Sequence, residues 1–296
     1  MIDPVDRFAA RPLVAHYDAP HAAGGQSLPA RLREAFRAAG CDPKRLTLDE
    51  IAGIDQLHLG GRRASRSLAA LGELAPGERV LDVGCGTGGA SRLLAAEVGC
   101  EVTGLDITPA FVEVAAWLSR ATGLAERTRF LCADAARVPL PEASLEVVWC
   151  QHALMNMPDA AAVLAEWHRL LVPGGRVLLH EVVAGEEDSP LRLPVPWARD
   201  AATSHLRTRE ALAALLAEGG FAPVAVHDVT EAALGWRRKH SRREAVEAAP
   251  GASPQAPALP GPSLIFGEAF AAMGRNLRDN LAADRVRILE GVWRKA

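Results

Sequence analysis

An acid and four glycines within ten residues, Val80-Leu81-Asp82-Val83-Gly84-Cys85-Gly86-Thr87-Gly88-Gly89, form the stretch of this chain best suited to chemistry. Arg79 to Val83 is a short apolar run that reads as a buried strand, and Ser91, Leu93, Leu94 and Val98 follow at helical spacing. The glycines are therefore the turn between strand and helix, at the carboxyl end of a first strand, where open α/β sheets bind their ligands. Glycine serves there because the backbone must bend sharply and a ligand must approach without meeting a Cβ.

The charge at this turn bears on the ligand. Gly84, Gly86 and Gly89 satisfy the G-x-G-x-x-G pattern, which admits a nicotinamide or flavin dinucleotide. Asp82, however, places negative charge where a pyrophosphate needs a helix N-terminus and bare amides. A ligand with no phosphate and a cationic amino acid end, such as S-adenosylmethionine, fits that charge better. A second strand, Glu101 to Leu105, ends in Asp106, and the two acids are 24 residues apart. That is about where nucleotide folds put the carboxylate that takes ribose hydroxyls, a diol both candidate ligands carry.

Four ordered motifs now stand together: Asp82-Val-Gly-Cys-Gly-Thr-Gly88, Gly104-Leu-Asp106-Ile107-Thr-Pro, Cys132-Ala-Asp134-Ala, and Leu171-Val-Pro-Gly-Gly175. This set resembles that of class I S-adenosylmethionine-dependent methyltransferases. The resemblance implies a Rossmann-like α/β fold with a seven-stranded, mostly parallel sheet in the order 3-2-1-4-5-7-6. The last strand would run antiparallel between strands five and six, with helices on both faces and an N-terminal helical lid. It further implies that Asp82, Gly84, Cys85, Gly86, Gly88, Asp106, Ile107, Asp134, Ala135 and Gln151 hold S-adenosylmethionine, leaving S-adenosylhomocysteine as product. Asp134 or the amide beside it would take the adenine amino group; a strand-end acid can also simply cap the next turn.

A second likeness lies upstream. Ile54-Asp55-Gln56-Leu57-His58-Leu59-Gly60-Gly61-Arg62 reads as a shaped loop leading into a helix with Ala64, Leu68 and Leu71. It resembles the Asp-Gln-aromatic-His-x-Gly-Gly loop of sarcosine and dimethylglycine N-methyltransferases, with Leu57 in place of the aromatic. By that likeness Gln56 and His58 face the methyl group or the substrate; a helix-entry loop with a hydrogen-bonded histidine is the alternative.

The remaining candidates sit at strand ends. Strand four, Leu145 to Cys150, leads into Gln151-His152-Ala-Leu-Met155-Asn156, just past the switch in strand order where cofactor and substrate meet. His152 and Asn156 are the best-placed polar pair. Strand five, Arg176 to Val183, is almost wholly apolar, so His180 and Glu181 lie near its carboxyl end. A buried ionised Glu181 needs a partner or an opening to the pocket, and the pocket is favoured. Trp197, in the proline-rich stretch 184–207, is a candidate substrate wall or a loop anchor, and Tyr17 is a further substrate candidate.

The elements that must hold these residues follow from pattern. Apolar positions Leu32, Phe36 and Ala39 recur after Leu28 and stop at Gly40, and Thr47-Leu-Asp-Glu50 is a capping box. Thr108-Pro109 starts a helix with Phe111, Val112, Ala115 and Leu118 inward, Asp159 starts one carrying Val163, Leu164, Trp167 and Leu170, and Thr208 starts another. A last amphipathic helix carries Phe266, Phe270, Met273, Leu277 and Leu281, a stripe that reads as core or subunit contact, so a homodimer is possible. Val286 to Trp293 is the closing strand. The expected organisation is a lid segment over 1–75 and a methyltransferase domain over 76–296, with an insertion at about 231–284.

Composition limits the partners. The chain has 296 residues, 49% of them hydrophobic, and a formal net charge of −3 at a pI near 6.3, giving no general pull toward nucleic acid or anionic membrane. The one basic run, Arg237 to Arg243, is short and lacks aromatics, so it reads as a solvated helix end beside the loop 248–262. No secretion signal or membrane-length apolar stretch is visible. Five scattered cysteines read as reduced thiols of a cytoplasmic protein, and no metal-ligand spacing occurs.

Taken together, the expected activity is methyl transfer to a small molecule. The Gln56–His58 loop points toward an amine or amino acid nitrogen, whereas the wider likeness to quinone and natural-product O- and C-methyltransferases leaves those acceptors open. His152 and His58 are the expected catalytic side chains, and an acceptor that must lose a proton would use His152 or His180. A nicotinamide oxidoreductase would share the glycine turn and Asp106, and a non-catalytic scaffold would share the fold.

Overall fold

The computed structural model describes residues 25–247 and 259–296. Tyr17 lies outside them, as does most of the 248–262 stretch. The chain first forms α1 (Leu28–Ala38), α2 (Ala52–Asp55) and α3 (Gly61–Leu71). The Thr47 box is formed as the spacing predicts: Glu50 N–H donates to Thr47 Oγ1 at 3.2 Å, and Thr47 N–H donates to the Glu50 carboxylate at 2.7 Å.

Alternation then begins with β1 (Arg79–Val83), α4 (Gly89–Leu93, widening into a π turn over Leu94–Val98) and β2 (Glu101–Asp106). It continues through α5 (Pro109–Ala121), β3 (Thr128–Cys132), β4 (Leu145–Gln151), α6 (Ala160–Leu170) and β5 (Leu171–Ala184). The chain ends in α7 (Arg209–Glu218), β6 (Phe221–Asp228), α8 (Thr230–Glu247), α9 (Ser263–Phe266), α10 (Phe270–Ala282) and β7 (Val286–Lys295).

The seven strands form one sheet in the order β3-β2-β1-β4-β5-β7-β6, as the motif set implies. The first five pair in parallel, and β7 runs antiparallel to both β5 and β6. Strand five is longer than the sequence indicates. Pro173-Gly174-Gly175, which precede the expected start at Arg176, are carried inside β5 as an irregularity, because the pairing with β4 jumps between Leu145↔Leu171 and Val147↔Arg176.

Both faces of the sheet are covered, which is why its central strands are continuous apolar runs. On one side α6 and α7 bury Val163, Leu164, Trp167, Leu212 and Leu216 against Leu81, Val148 and Leu179. On the other, α3 and α4 bury Leu68, Leu93 and Leu94 against Val80, Trp149 and Leu178.

A separate apolar cluster joins Leu28, Leu32 and Phe36 of α1 to Phe111, Val114, Trp117 and Leu118 of α5, and to Ile265, Phe266 and Met273. Val114 and Trp117, rather than Val112, complete the inward face of α5. The cap over the sheet's carboxyl edge is thus built from two stretches more than two hundred residues apart, near the amino terminus and just before β7.

Candidate active site

The carboxyl ends of β1, β2 and β4 open into a cavity whose one end is polar. Asp106 closes β2, and its two carboxylate oxygens accept from Gly86 N–H at 2.9 Å and Thr108 N–H at 2.8 Å. Burial still raises its pKa above the ordinary aspartate value, since those two bonds do not replace the lost water. Gly86, at φ +53°, has only Leu57 Cδ1 near the place a Cβ would take, so the bare backbone leaves room at the turn. Cys85, Ile107, Asp134, Ala135 and Gln151 also line the cavity. Asp134 caps as well as lines, since its Oδ1 accepts from Ala136 N–H at 2.9 Å.

Asp82 lies beneath the turn, 2% exposed, and accepts from Ser91 Oγ at 2.6 Å. Burial pushes its pKa up to about 6 despite that bond. A carboxylate so placed gains from a cation and loses from a phosphate. The Cys85 thiol is likewise pushed well above its usual range by burial, which makes it a neutral wall atom rather than a nucleophile.

Gly88 departs from the expected cofactor role. It is the left-handed residue that starts α4, at φ +83°, and a Cβ there would meet Arg92, Phe130 and Ala115 within about 3 Å. Its bareness serves packing, and it does not line the cavity.

At the other end of the cavity the walls are apolar and aromatic. Leu57, Leu59, Met155 and Met157 meet Trp197, Trp236, Phe266, Phe270 and Leu277 there. The Phe stripe expected to be core or subunit contact is therefore partly cavity roof, because Gly267 breaks the predicted single helix into α9 and α10 and turns Phe266 and Phe270 inward. The basic run is corrected too. It lies within α8, with Arg238 and Lys239 exposed, but Arg237 is 5% exposed, lines the cavity and donates from Nε to Ser241 Oγ. Gly274 makes room for it, since a Cβ there would lie 3.3 Å from the guanidinium.

Three imidazoles meet between the two ends, with ring centroids 6.0, 6.0 and 5.1 Å apart for His58–His152, His58–His180 and His152–His180. Burial holds all three neutral: His58 is lowered to about 4, His180 to about 3, and His152 well below the usual value. Their partners differ. His152 lines the cavity, and its Nε2 meets Nδ1 of His180 at 3.1 Å. It adopts φ +51°, uncommon for a residue with a side chain, and its N–H is held by the His180 carbonyl at 2.9 Å.

His58, expected as catalytic, has both ring nitrogens engaged. Nδ1 faces the Leu59 carbonyl at 3.1 Å, and Nε2 faces the Gln56 amide at 2.9 Å and Ser65 Oγ at 3.2 Å. Gln56 and His58 thus satisfy each other, although both remain in the cavity wall.

Three further expectations change for similar reasons. Glu181 does not reach the cavity. It accepts from Ala153 N–H at 3.2 Å, Leu154 N–H at 2.8 Å and Val182 N–H at 2.8 Å, while burial raises its pKa to about 7. His180 stands behind His152 rather than in the wall. Asn156 lines the cavity, but its Nδ2 donates to the carbonyls of Trp197 at 2.8 Å and Thr203 at 3.1 Å, tying down the proline-rich loop. Trp197 serves as both wall and anchor, its Nε1 donating to Ser204 Oγ at 3.0 Å.

The residues that pattern missed are the long-range struts. Arg92, fully buried, ion-pairs with Asp55 and donates to the carbonyls of Thr87 at 2.6 Å and Ala115 at 3.1 Å. Thr87 Oγ1 donates to the Ile54 carbonyl at 2.7 Å, and a Cβ on Gly89 would collide with the Asp55 backbone. The glycine turn and α2 are locked together, and nothing local to either stretch signals it. Among the described residues, no cluster of three or more His, Cys, Asp or Glu side chains could hold a metal ion, and no helix is long and apolar enough to cross a membrane.

The sheet order distinguishes this fold from the dinucleotide-binding arrangement 3-2-1-4-5-6, because β7 is inserted antiparallel. Comparisons with known proteins agree. Residues 81–179 match the family model described as a methyltransferase domain. Methyltransferase GfsG of Streptomyces halstedii is 35% identical over 132 residues, 45% of this chain and 48% of that protein. The 27-O-demethylrifamycin SV methyltransferase of Amycolatopsis mediterranei is 31% identical over 171 residues, 57% of this chain and 63% of that protein. The chain thus spans about half to under two thirds of the length of these two relatives. Among solved structures, the [4+2]-cyclase SpnF superposes with TM-score 0.66 at 22% identity, covering 90% of this chain and 94% of that one. A sarcosine dimethylglycine methyltransferase-like protein from Galdieria sulphuraria gives 0.63 at 18%, covering 89% and 97%. At these identities the two structures speak for the fold alone.

Proposed function

We propose that this chain binds S-adenosylmethionine and transfers its methyl group to an oxygen, or an acidic carbon, of an apolar small molecule. The observation that carries the reading is the pairing of Asp82 and Asp106 around the open Gly86 backbone. One acid is suited to a cationic amino acid end and the other to a ribose diol. Asp134 and Ala135 would border the adenine, and Gln151 the amino acid end. When bound, the cofactor supplies a methyl group on a positively charged sulfur.

The chain's own residues would do the rest. Leu57, Met155, Trp197 and Phe270 exclude water, which favours a step in which charge disappears. His152, neutral and facing the cavity, takes the proton of the acceptor as the acceptor oxygen or carbon gains the methyl group. His180 orients that ring through the 3.1 Å contact between their nitrogens.

An amine acceptor is less well served. The Gln56–His58 pair that favoured it is turned on itself. Among the described residues lining the cavity, the carboxylate besides the strand-end acids Asp82, Asp106 and Asp134 is Asp55, already held by Arg92 beside the glycine turn, and the cation Arg237 stands in the wall. The relative named 27-O-demethylrifamycin SV methyltransferase supports an oxygen acceptor. Thermal shift tests the cofactor half: S-adenosylhomocysteine raises the melting temperature and NADH does not. A protein stabilised by NADH alone would end this reading.

A further inference from the structure

Ser65 is fully buried on α3, and its single hydroxyl stands within 3.2 Å of three polar groups: His58 Nε2, the Gln56 amide at 3.0 Å and Gln151 Oε1 at 3.0 Å. A hydroxyl has one proton to donate, so the surrounding chemistry must assign it.

Two groups set the assignment. Trp149 Nε1 can only donate, and it reaches Gln151 Oε1 at 3.1 Å, which fixes that end of the Gln151 amide as oxygen. The Leu59 carbonyl can only accept, so it places the proton of neutral His58 on Nδ1 and leaves Nε2 bare. A bare Nε2 calls for a donor, and amide orientation follows from partners. The Gln56 nitrogen therefore belongs on His58 and Ser65, which also employs an amide nitrogen otherwise buried without an acceptor. With Ser65 Oγ accepting from Gln56, its own proton goes to Gln151 Oε1.

Each contact along the chain Gln56, His58, Ser65, Gln151 and Trp149 then joins one donor to one acceptor, and the Gln151 amide keeps a group over. The Gln151 Nε2, in a side chain 7% exposed that lines the cavity next to the glycine turn, is buried with no protein acceptor. Two independent donors, from Trp149 in the core and Ser65 on α3, hold its oxygen and so aim this nitrogen.

We infer that Ser65 is a positioning residue that ties the Gln56–His58 loop to cofactor binding, by fixing the Gln151 amide so that its N–H meets the carboxylate of the cofactor's amino acid end. The inference rests on the proposed cofactor. Ser65 itself touches no ligand. Its effect passes through Gln151, so the packing of the loop before β1 bears on cofactor affinity.

Calorimetry with S-adenosylhomocysteine on wild type, Ser65→Ala, Gln151→Met and the double variant tests this. Ser65→Ala weakens binding about tenfold, the value of one such hydrogen bond, and changes it less than twofold once Gln151 is methionine. Trp149→Phe, which keeps the ring and loses the donor, weakens binding in the same direction and serves as the second probe if Ser65→Ala does not fold. Equal losses from Ser65→Ala in both backgrounds, or undiminished affinity in Ser65→Ala or Trp149→Phe, overturn the inference. A wild type that fails to bind S-adenosylhomocysteine overturns the cofactor assignment instead.

Discussion

His152 Nε2 and His180 Nδ1 lie 3.1 Å apart in rings only 13° from parallel, and the His152 side chain of this pair lines the cavity. The two come from the ends of neighbouring strands, since β4 and β5 pair with Gln151 opposite His180. Sheet register, rather than sequence proximity, makes the dyad.

His152→Ala is expected to lower kcat by about 10²–10⁴-fold, the usual worth of a positioned base, with S-adenosylhomocysteine affinity unchanged. Because burial keeps both rings neutral, with His180 lowered to about 3, the rate should show no acid limb at an ordinary histidine pKa. Single-turnover rates at saturating cofactor from pH 5 to 8 check this. A loss confined to cofactor affinity would remove His152 from the proton transfer.

Cofactor affinity should depend on pH through Asp82. Its pKa in the free protein is raised to about 6, and a bound ammonium group would lower it. Below pH 6 binding must therefore expel a proton, and affinity falls as pH falls, by about tenfold per unit at most. Calorimetry in buffers of different ionisation heat should record proton release near pH 5 and little near pH 8. Asp82→Asn should bind more weakly at pH 8 and lose the pH dependence.

The Asp55–Arg92 pair is sealed from water, so removing one partner strands the other. Asp55→Ala is expected to cost about 3–5 kcal/mol in urea unfolding. Asp55→Leu with Arg92→Met should recover much of that loss in stability. Cofactor affinity should not recover with it, because Arg92 also holds the Thr87 carbonyl of the glycine turn. Full recovery of both would reduce the pair to packing.

Phe270 roofs the acceptor end and stacks on Phe266 with centroids 5.8 Å apart. Phe270→Ala should raise KM for an apolar acceptor and leave S-adenosylhomocysteine binding within twofold. Steady-state kinetics separates the two, and an unchanged KM would place the acceptor elsewhere.

The strand–turn–helix frame at the polar end of the cavity was legible, apart from Gly88, which packs against Arg92, Phe130 and Ala115 instead of lining the cavity. Asp82, Gly86 and Asp106 stand where the strand–turn–helix pattern puts them, because strand ends and tight turns are set by near neighbours in the chain. The rest of the cavity and the groups behind its wall were not. His58 read either as facing the substrate or as a hydrogen-bonded histidine of a helix-entry loop, and its contacts with the Leu59 carbonyl, Gln56 and Ser65 fit the second. Glu181 was expected in the pocket but turned to the amides of the segment after β4. Arg237 looked solvated until α10 covered it with Gly274.

By itself, then, the amino-acid sequence determined the order of strands and helices, the glycine turn and the two acids beside it, since these follow from local periodicity and backbone sterics. Only the tertiary structure decided which polar side chains satisfy one another and which face the cavity. That choice depends on partners brought together from Gln56, Gln151, His180, Arg237 and Phe270, residues far apart in the chain, and hydrogen-bond pairing between such groups has no signature at short range.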